Sequence, residues 1–165
     1  MARNYILDTT TAQKKLERMA YEILENNIDE KEIVLASIEE TGVAIANTIA
    51  HHLKNIQPSI LISQLNVRLN KKQPDTVVLS ETGSLSNKVV ILIDDVSNSG
   101  KTLLWALSAF LPHQPKKIQT LALVERTHKQ FPVKTDYVGL SLATTLQDHI
   151  QVECEEDEVK GAYME

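Results

Sequence analysis

The sequence predicts an α/β fold, a central and mainly parallel sheet flanked by helices. Three observations carry this. Short apolar runs that read as buried strands alternate with stretches of helical periodicity. Polar turns at 39–42 and 94–102 directly follow two of those runs, the usual place for ligand binding in such sheets. The five glycines do not cluster, so no flexible linker divides the 165 residues, which are expected to form a single domain over 1–165.

The elements follow in order. Leu16, Met19, Ala20, Ile23 and Leu24 recur at helical spacing and predict a helix over 9–27, capped by Asp8 or Thr9. Ile33 to Ile38 is an apolar run that reads as a buried strand, with Glu39-Glu40-Thr41-Gly42 as its closing turn and a helix over 43–54. A strand is expected near 59–67, then a polar loop over 68–75, then a short strand at 77–79. Val89 to Ile93 is the clearest strand, bounded by Lys88 and Asp94. A helix is expected over 102–111, ended by Pro112, followed by strands at 118–124, 136–139 and 149–154. Glu155 to Glu158 reads as a solvated acidic tail.

Composition excludes several classes. Apolar residues at 42% and charged residues at 24% exclude a disordered or collagen-like chain. No apolar run approaches the ~20 residues of a membrane span, and the first fifteen residues lack an apolar signal core, so a cytoplasmic protein with no membrane partner is expected. One cysteine, Cys154, builds neither a disulfide framework nor a zinc site and reads as a small core or edge residue. The net charge of −5 runs against broad attraction to nucleic-acid backbones. His51, His52, His113 and His149 have no acidic or cysteine partner at ligand spacing, and Trp105 is expected to pack its helix against the sheet or a partner subunit.

Chemistry concentrates in VILIDDVSNSGKT, Val90 to Thr102. A buried strand delivers Asp94 and Asp95. A small polar turn, Ser97-Asn98-Ser99-Gly100, leads into a helix at Lys101-Thr102. The turn and helix start supply backbone N–H groups for an anion, and the Ser99 and Thr102 hydroxyls add donors. Gly100 admits close backbone approach. The paired acids can accept from a diol or hold Mg²⁺ through water. Anion donors beside diol acceptors suit a sugar phosphate. A nucleotide P-loop needs a glycine where Asp95 stands, and no other Gly-Lys-Ser/Thr occurs.

This segment resembles the phosphoribosyl diphosphate (PRPP) signature of type I phosphoribosyltransferases: four apolar residues, two acids, an apolar residue, two variable residues, Ser or Thr, Gly, a variable residue and Thr. LALVERTHKQFPVKTDYVG at 121–139 and ILDTTTAQKKLERMAYEI at 6–23 are similar to the branch of bifunctional pyrimidine-operon attenuators and uracil phosphoribosyltransferases. The resemblance spans Ile6 to about Val152. It implies the type I phosphoribosyltransferase fold with a small hood from the terminal segments, and transfer of phosphoribosyl from PRPP to a nucleobase, uracil by resemblance, with Mg²⁺ and release of pyrophosphate. It further implies that Asp94 and Asp95 hold the ribose hydroxyls, that Ser97, Asn98, Ser99, Gly100, Lys101 and Thr102 cradle the 5′-phosphate, that Asp136, Tyr137, Val138 and Gly139 approach the base through backbone groups, and that the chain is at least a homodimer.

The chain departs from relatives in four places. Where they bind pyrophosphate beside a basic residue, this chain has Ser37, Ile38, Glu39, Glu40, Thr41 and Gly42. Two readings stay open: the acids weaken PRPP binding, or they point to solvent and the Gly42 backbone suffices. Arg68 aligns with the catalytic arginine of the mobile loop, but Val67, Leu69 and Asn70 replace its neighbours, while Lys71 and Lys72 add charge. Asn98 cannot accept the proton that an Asp at that place takes in some purine-specific relatives. The basic RNA face of attenuators maps onto Lys14, Lys15, Arg18, Arg126, His128, Lys129 and Lys134, but Thr127 replaces a glycine there, Glu17 and Tyr21 interrupt the helix face, and RNA is not the favoured partner. An alternative to catalysis is a PRPP- or nucleotide-sensing regulator without turnover.

Overall fold

The computed structural model describes residues 3–70, 72, 76–80, 83–143 and 148–165. Among the described residues, nine strands and three α-helices run in the order β1 (Asn4–Leu7), α1 (Thr9–Asn26), β2 (Glu32–Ile38), α2 (Glu39–Ile56), β3 (Leu61–Arg68), β4 (Val78–Leu79), β5 (Val89–Ser97), α3 (Lys101–Ser108), β6 (Lys117–Arg126), β7 (Tyr137–Leu142), β8 (Ile150–Glu155) and β9 (Glu158–Met164). The main sheet has the order β4-β3-β2-β5-β6-β7; every pairing is parallel except that of the edge strand β4. A second sheet, β1-β9-β8, is antiparallel and joins the two ends of the chain.

The central strands β2, β5 and β6 are buried on both faces, which is why they read as apolar runs. Side chains alternate across the sheet. Ile33, Leu35, Ile91 and Ile93 pack with Leu16, Met19 and Ile23 of α1 and with Ile45, Ile49 and Leu53 of α2. Val34, Ala36, Val90 and Leu92 pack on the other face with Leu103, Ala106 and Phe110. Among the described residues no helix is long and apolar enough to cross a membrane.

Asp8 caps α1, its side chain accepting from the Thr11 N–H at 2.7 Å, and that bond holds its carboxyl below the usual range. α2 begins at Glu39, not at 43 after a turn. Gly42 is therefore helical, and it lets α2 lie close to β5: a Cβ there would sit 3.2 Å from the Ile93 carbonyl. β5 runs on through both acids to Ser97, because its pairing with β6 continues to the Ser97–Glu125 pair. α3 stops at Ser108, and Pro112 lies inside a short 3₁₀ turn, Leu111–His113. The acidic stretch is no tail. Glu156 and Asp157, with φ of 50° and 61°, make the tight turn between β8 and β9. Trp105 is 40% exposed, beside exposed Leu104. The polar loop over 68–75 lies outside the described residues at Lys71 and at 73–75.

His52 on α2 has a buried Nε2 without a hydrogen-bond partner among the described residues. Burial, with His51 adding to it against Glu17, lowers its pKa below 6.5. The unfolded chain then takes up the proton first as pH falls, so stability is full above pH 6.5 and is lost as pH drops toward the folded-state pKa. A Tm series from about pH 8 to about pH 5 is expected to fall at the acidic end in the native chain and to fall less in His52→Gln.

Candidate functional site

The carboxyl ends of β2, β5 and β6 meet at one edge of the sheet. At the end of β5, Asp94 is buried and Asp95 half-buried. Asp94 Oδ1 accepts from the Asp95 N–H at 2.9 Å, and Asp95 Oδ1 from the Val96 N–H at 2.7 Å, which fixes both carboxylates against the strand. The turn that follows reverses the chain at Gly100, whose φ of 87° is open to glycine at little cost. A Cβ there would also sit 3.2 Å from Val133 Cγ1 and 3.4 Å from the Phe131 carbonyl. The Ser99 carbonyl accepts from the Gln130 and Phe131 N–H groups, both at 3.0 Å, and so ties the turn to the segment after β6.

A small cavity of about 60 Å³ lies within this turn, lined by Asp94, Val96 and Ser97 through Leu103. Ser97 Oγ is buried on its wall with no hydrogen-bond partner among the described residues. A buried hydroxyl without a partner is costly, and an oxyanion in the cavity would satisfy it.

Ser37, Ile38, Glu39, Glu40, Thr41 and Gly42 lie at the end of β2 and the start of α2. Ser37 and Ile38 are buried; the Ser37 hydroxyl lies 3.2 Å from Asn66 Oδ1. Glu39 and Glu40 are exposed, and Glu39 has a φ of 54°. A cleft of about 550 Å³ brings Glu39, Glu40 and Thr41 together with Asn66 and Arg68. Glu40 and Thr41 also line an adjoining cleft of about 460 Å³, where Glu156 and Asp157 of the terminal sheet form the far wall. Arg68 and the two exposed acids thus line the same cleft.

The expected base residues are not brought to this edge by their side chains. Tyr137 is core: its hydroxyl donates to Gln119 Oε1 at 2.8 Å, and burial, with Asp136 nearby, pushes its pKa up to about 12. Asp136 Oδ2 accepts from the Thr120 N–H at 2.9 Å, near the amino end of β7. The Val138 and Gly139 carbonyls accept from Arg18 Nη2 at 2.9 and 3.1 Å. β7 is an edge strand of the sheet, and α1 covers it with this arginine.

Glu125 escaped the sequence reading, and Arg126 entered it only as part of a basic RNA face. Glu125 ends β6 between Ser97 of β5 and Ser141 of β7, and pairs with Lys129, whose pKa burial lowers. Arg126 is buried; its Nε donates to Asn98 Oδ1 at 2.7 Å and its Nη2 to the Asp148 carbonyl. A charged pair closing an apolar strand was the available signal. Arg18, Arg126 and Lys129, three of the seven basic residues that the RNA reading drew on, thus make contacts within the chain.

The phosphoribosyl transferase domain family matches residues 3–158. The bifunctional protein pyrR of Enterococcus faecalis is 32% identical over 164 residues, covering 94% of this chain and 92% of that protein. PyrR of Streptococcus pneumoniae is 34% identical over 163 residues, covering 94% and 92%. Among solved structures, a hypoxanthine-guanine phosphoribosyltransferase of Bacillus anthracis superposes with a TM-score of 0.78 at 19% identity, covering 99% of this chain and 98% of that one. A hypoxanthine phosphoribosyltransferase of Trypanosoma cruzi gives 0.80 at 11% identity, covering 96% and 92%.

Proposed function

Because the chain belongs to the phosphoribosyl transferase domain family, we propose that it moves a phosphoribosyl group from PRPP to a nucleobase, a pyrimidine such as uracil by resemblance, with release of pyrophosphate. One observation carries this reading: the whole PRPP signature folds into a strand, a glycine-reversed turn and a helix around a cavity that holds a buried, unpartnered Ser97 hydroxyl.

In this reading Asp94 and Asp95 accept from the ribose hydroxyls. The backbone N–H groups and hydroxyls from Ser97 to Thr102 hold the 5′-phosphate at the start of α3. A ring nitrogen of the base then attacks the anomeric carbon as the bond to the pyrophosphate oxygen breaks. Holding both reactants in line accounts for much of the rate, and Arg68 at the cleft offers the departing anion a cation. The carboxylates of Asp94 and Asp95 are hard oxygen donors of the kind Mg²⁺ takes. Mg²⁺ held by these carboxylates would neutralise leaving-group charge. Exposed Leu104 and Trp105 on α3 offer an apolar face for the expected homo-oligomer.

The test is pyrophosphate release from PRPP and Mg²⁺ with uracil, orotate, guanine, hypoxanthine, xanthine or adenine. Release with uracil is expected. Release with a purine alone would overturn the pyrimidine assignment, and silence with all six, from folded protein, would overturn turnover itself.

A further inference from the structure

Resting on the phosphoribosyl reading, we infer that the preferred ligand of this site is a nucleoside 5′-monophosphate, a phosphoribosyl compound without the 1-diphosphate, and that Glu39 and Glu40 discriminate against PRPP.

The two halves of the site have opposite character. The 5′-phosphate half is built for an anion: Gly100 in the left-handed region, the start of α3 and the unpartnered Ser97 hydroxyl in its cavity. The half beside β2 also has a helix start, that of α2, and such a start attracts anions. Here the chain supplies those negative charges itself, as Glu39 and Glu40 in the first turn. Glu40 turns a second cleft toward Glu156 and Asp157, so the acidic wall continues onto the terminal sheet. Arg68 is the cation among the described residues lining the larger cleft, against two carboxylates. A diphosphate entering there meets net repulsion. A nucleoside 5′-monophosphate places an uncharged base on the anomeric carbon and leaves its one phosphate in the intact cradle. A carboxylate about 4 Å from a phosphate oxygen weakens binding about fivefold even at the dielectric constant of water, so the pair weakens it about 25-fold, of which Arg68 at a like distance restores about fivefold.

Calorimetric titration of the full chain with uridine 5′-monophosphate, ribose 5-phosphate and PRPP, each with and without Mg²⁺, tests this. The monophosphate is expected to bind about fivefold more tightly than PRPP, and ribose 5-phosphate to bind detectably. Glu39→Gln with Glu40→Gln should tighten PRPP alone, by about 25-fold, and so reverse the ratio. Added salt should narrow the ratio in the native chain, a check that needs no variant. PRPP binding as tightly as the monophosphate, or a ratio unmoved in the folded double variant, would overturn the inference. Pyrophosphate release with tight PRPP would overturn it and leave the transferase reading standing. Monophosphate binding without turnover would support it and overturn the transferase reading, and failure of all three probes to bind would overturn both.

Discussion

Gly139→Ala is expected to destabilise the fold by about 3 kcal/mol, a large effect for one added methyl group. A Cβ at Gly139 would stand 2.4 Å from the Leu123 carbonyl oxygen and 3.1 Å from Leu123 Cδ1. Both partners belong to β6, which is paired on its other side to β5, so the backbone cannot give way without moving the centre of the sheet. Gly83 provides the control. Among the described residues nothing lies within 4 Å of a Cβ there, and Gly83→Ala should change stability by less than about 0.5 kcal/mol. Urea unfolding of both variants decides. A Gly139→Ala protein with native stability and lost nucleotide binding would instead return Gly139 to the base-binding role that its sequence context suggested.

Asp95→Asn is expected to weaken binding of a nucleoside 5′-monophosphate by about 10- to 100-fold, the loss of a charge-assisted acceptor for a ribose hydroxyl. Asp95 is the better choice of the pair. Asp94 is 1% exposed and built into the strand, so its replacement would mix binding with stability. Asp95 is half-buried, and an asparagine oxygen can still accept from the Val96 N–H. The thermal midpoint should therefore move little while the titration shows the loss. Unchanged affinity would remove Asp95 from the ribose site.

What could be read from the sequence follows from how locally each feature is encoded. β2, β5 and β6 were legible because burial on both faces makes each a continuous apolar run. β1 and β9 were not. Asn4–Leu7 is short, Glu158–Met164 carries Gly161, and the turn before β9 is made by Glu156 and Asp157 where Gly or Asn would have announced a hairpin. The start of α2 was misplaced for a related reason. Gly42 looked like turn punctuation, but its absent side chain serves a close approach of helix to strand. The phosphate turn was legible because its residues are consecutive. Contacts between distant segments were not: Arg126 reaches Asn98 across 28 positions, and Arg18 reaches the Val138 carbonyl across 120. Neither pair has a spacing rule, so arginines that resembled a basic face proved to be internal ties.

The pairing of Asn4 with Met164 has a consequence in time. Chain growth at roughly 5–20 residues per second leaves β1 without its partner for about 8 to 30 seconds, while β2, α2, β5 and α3 are already able to assemble. The cross-links of the terminal sheet come late as well: Arg3 and Tyr5 to Glu153 at 2.6 Å each, and Arg3 over the Tyr163 ring at 4.6 Å. Glu156 and Asp157 take their places only with that sheet. A growing chain therefore has its phosphate turn before the acidic wall on the far side of the Glu40 cleft.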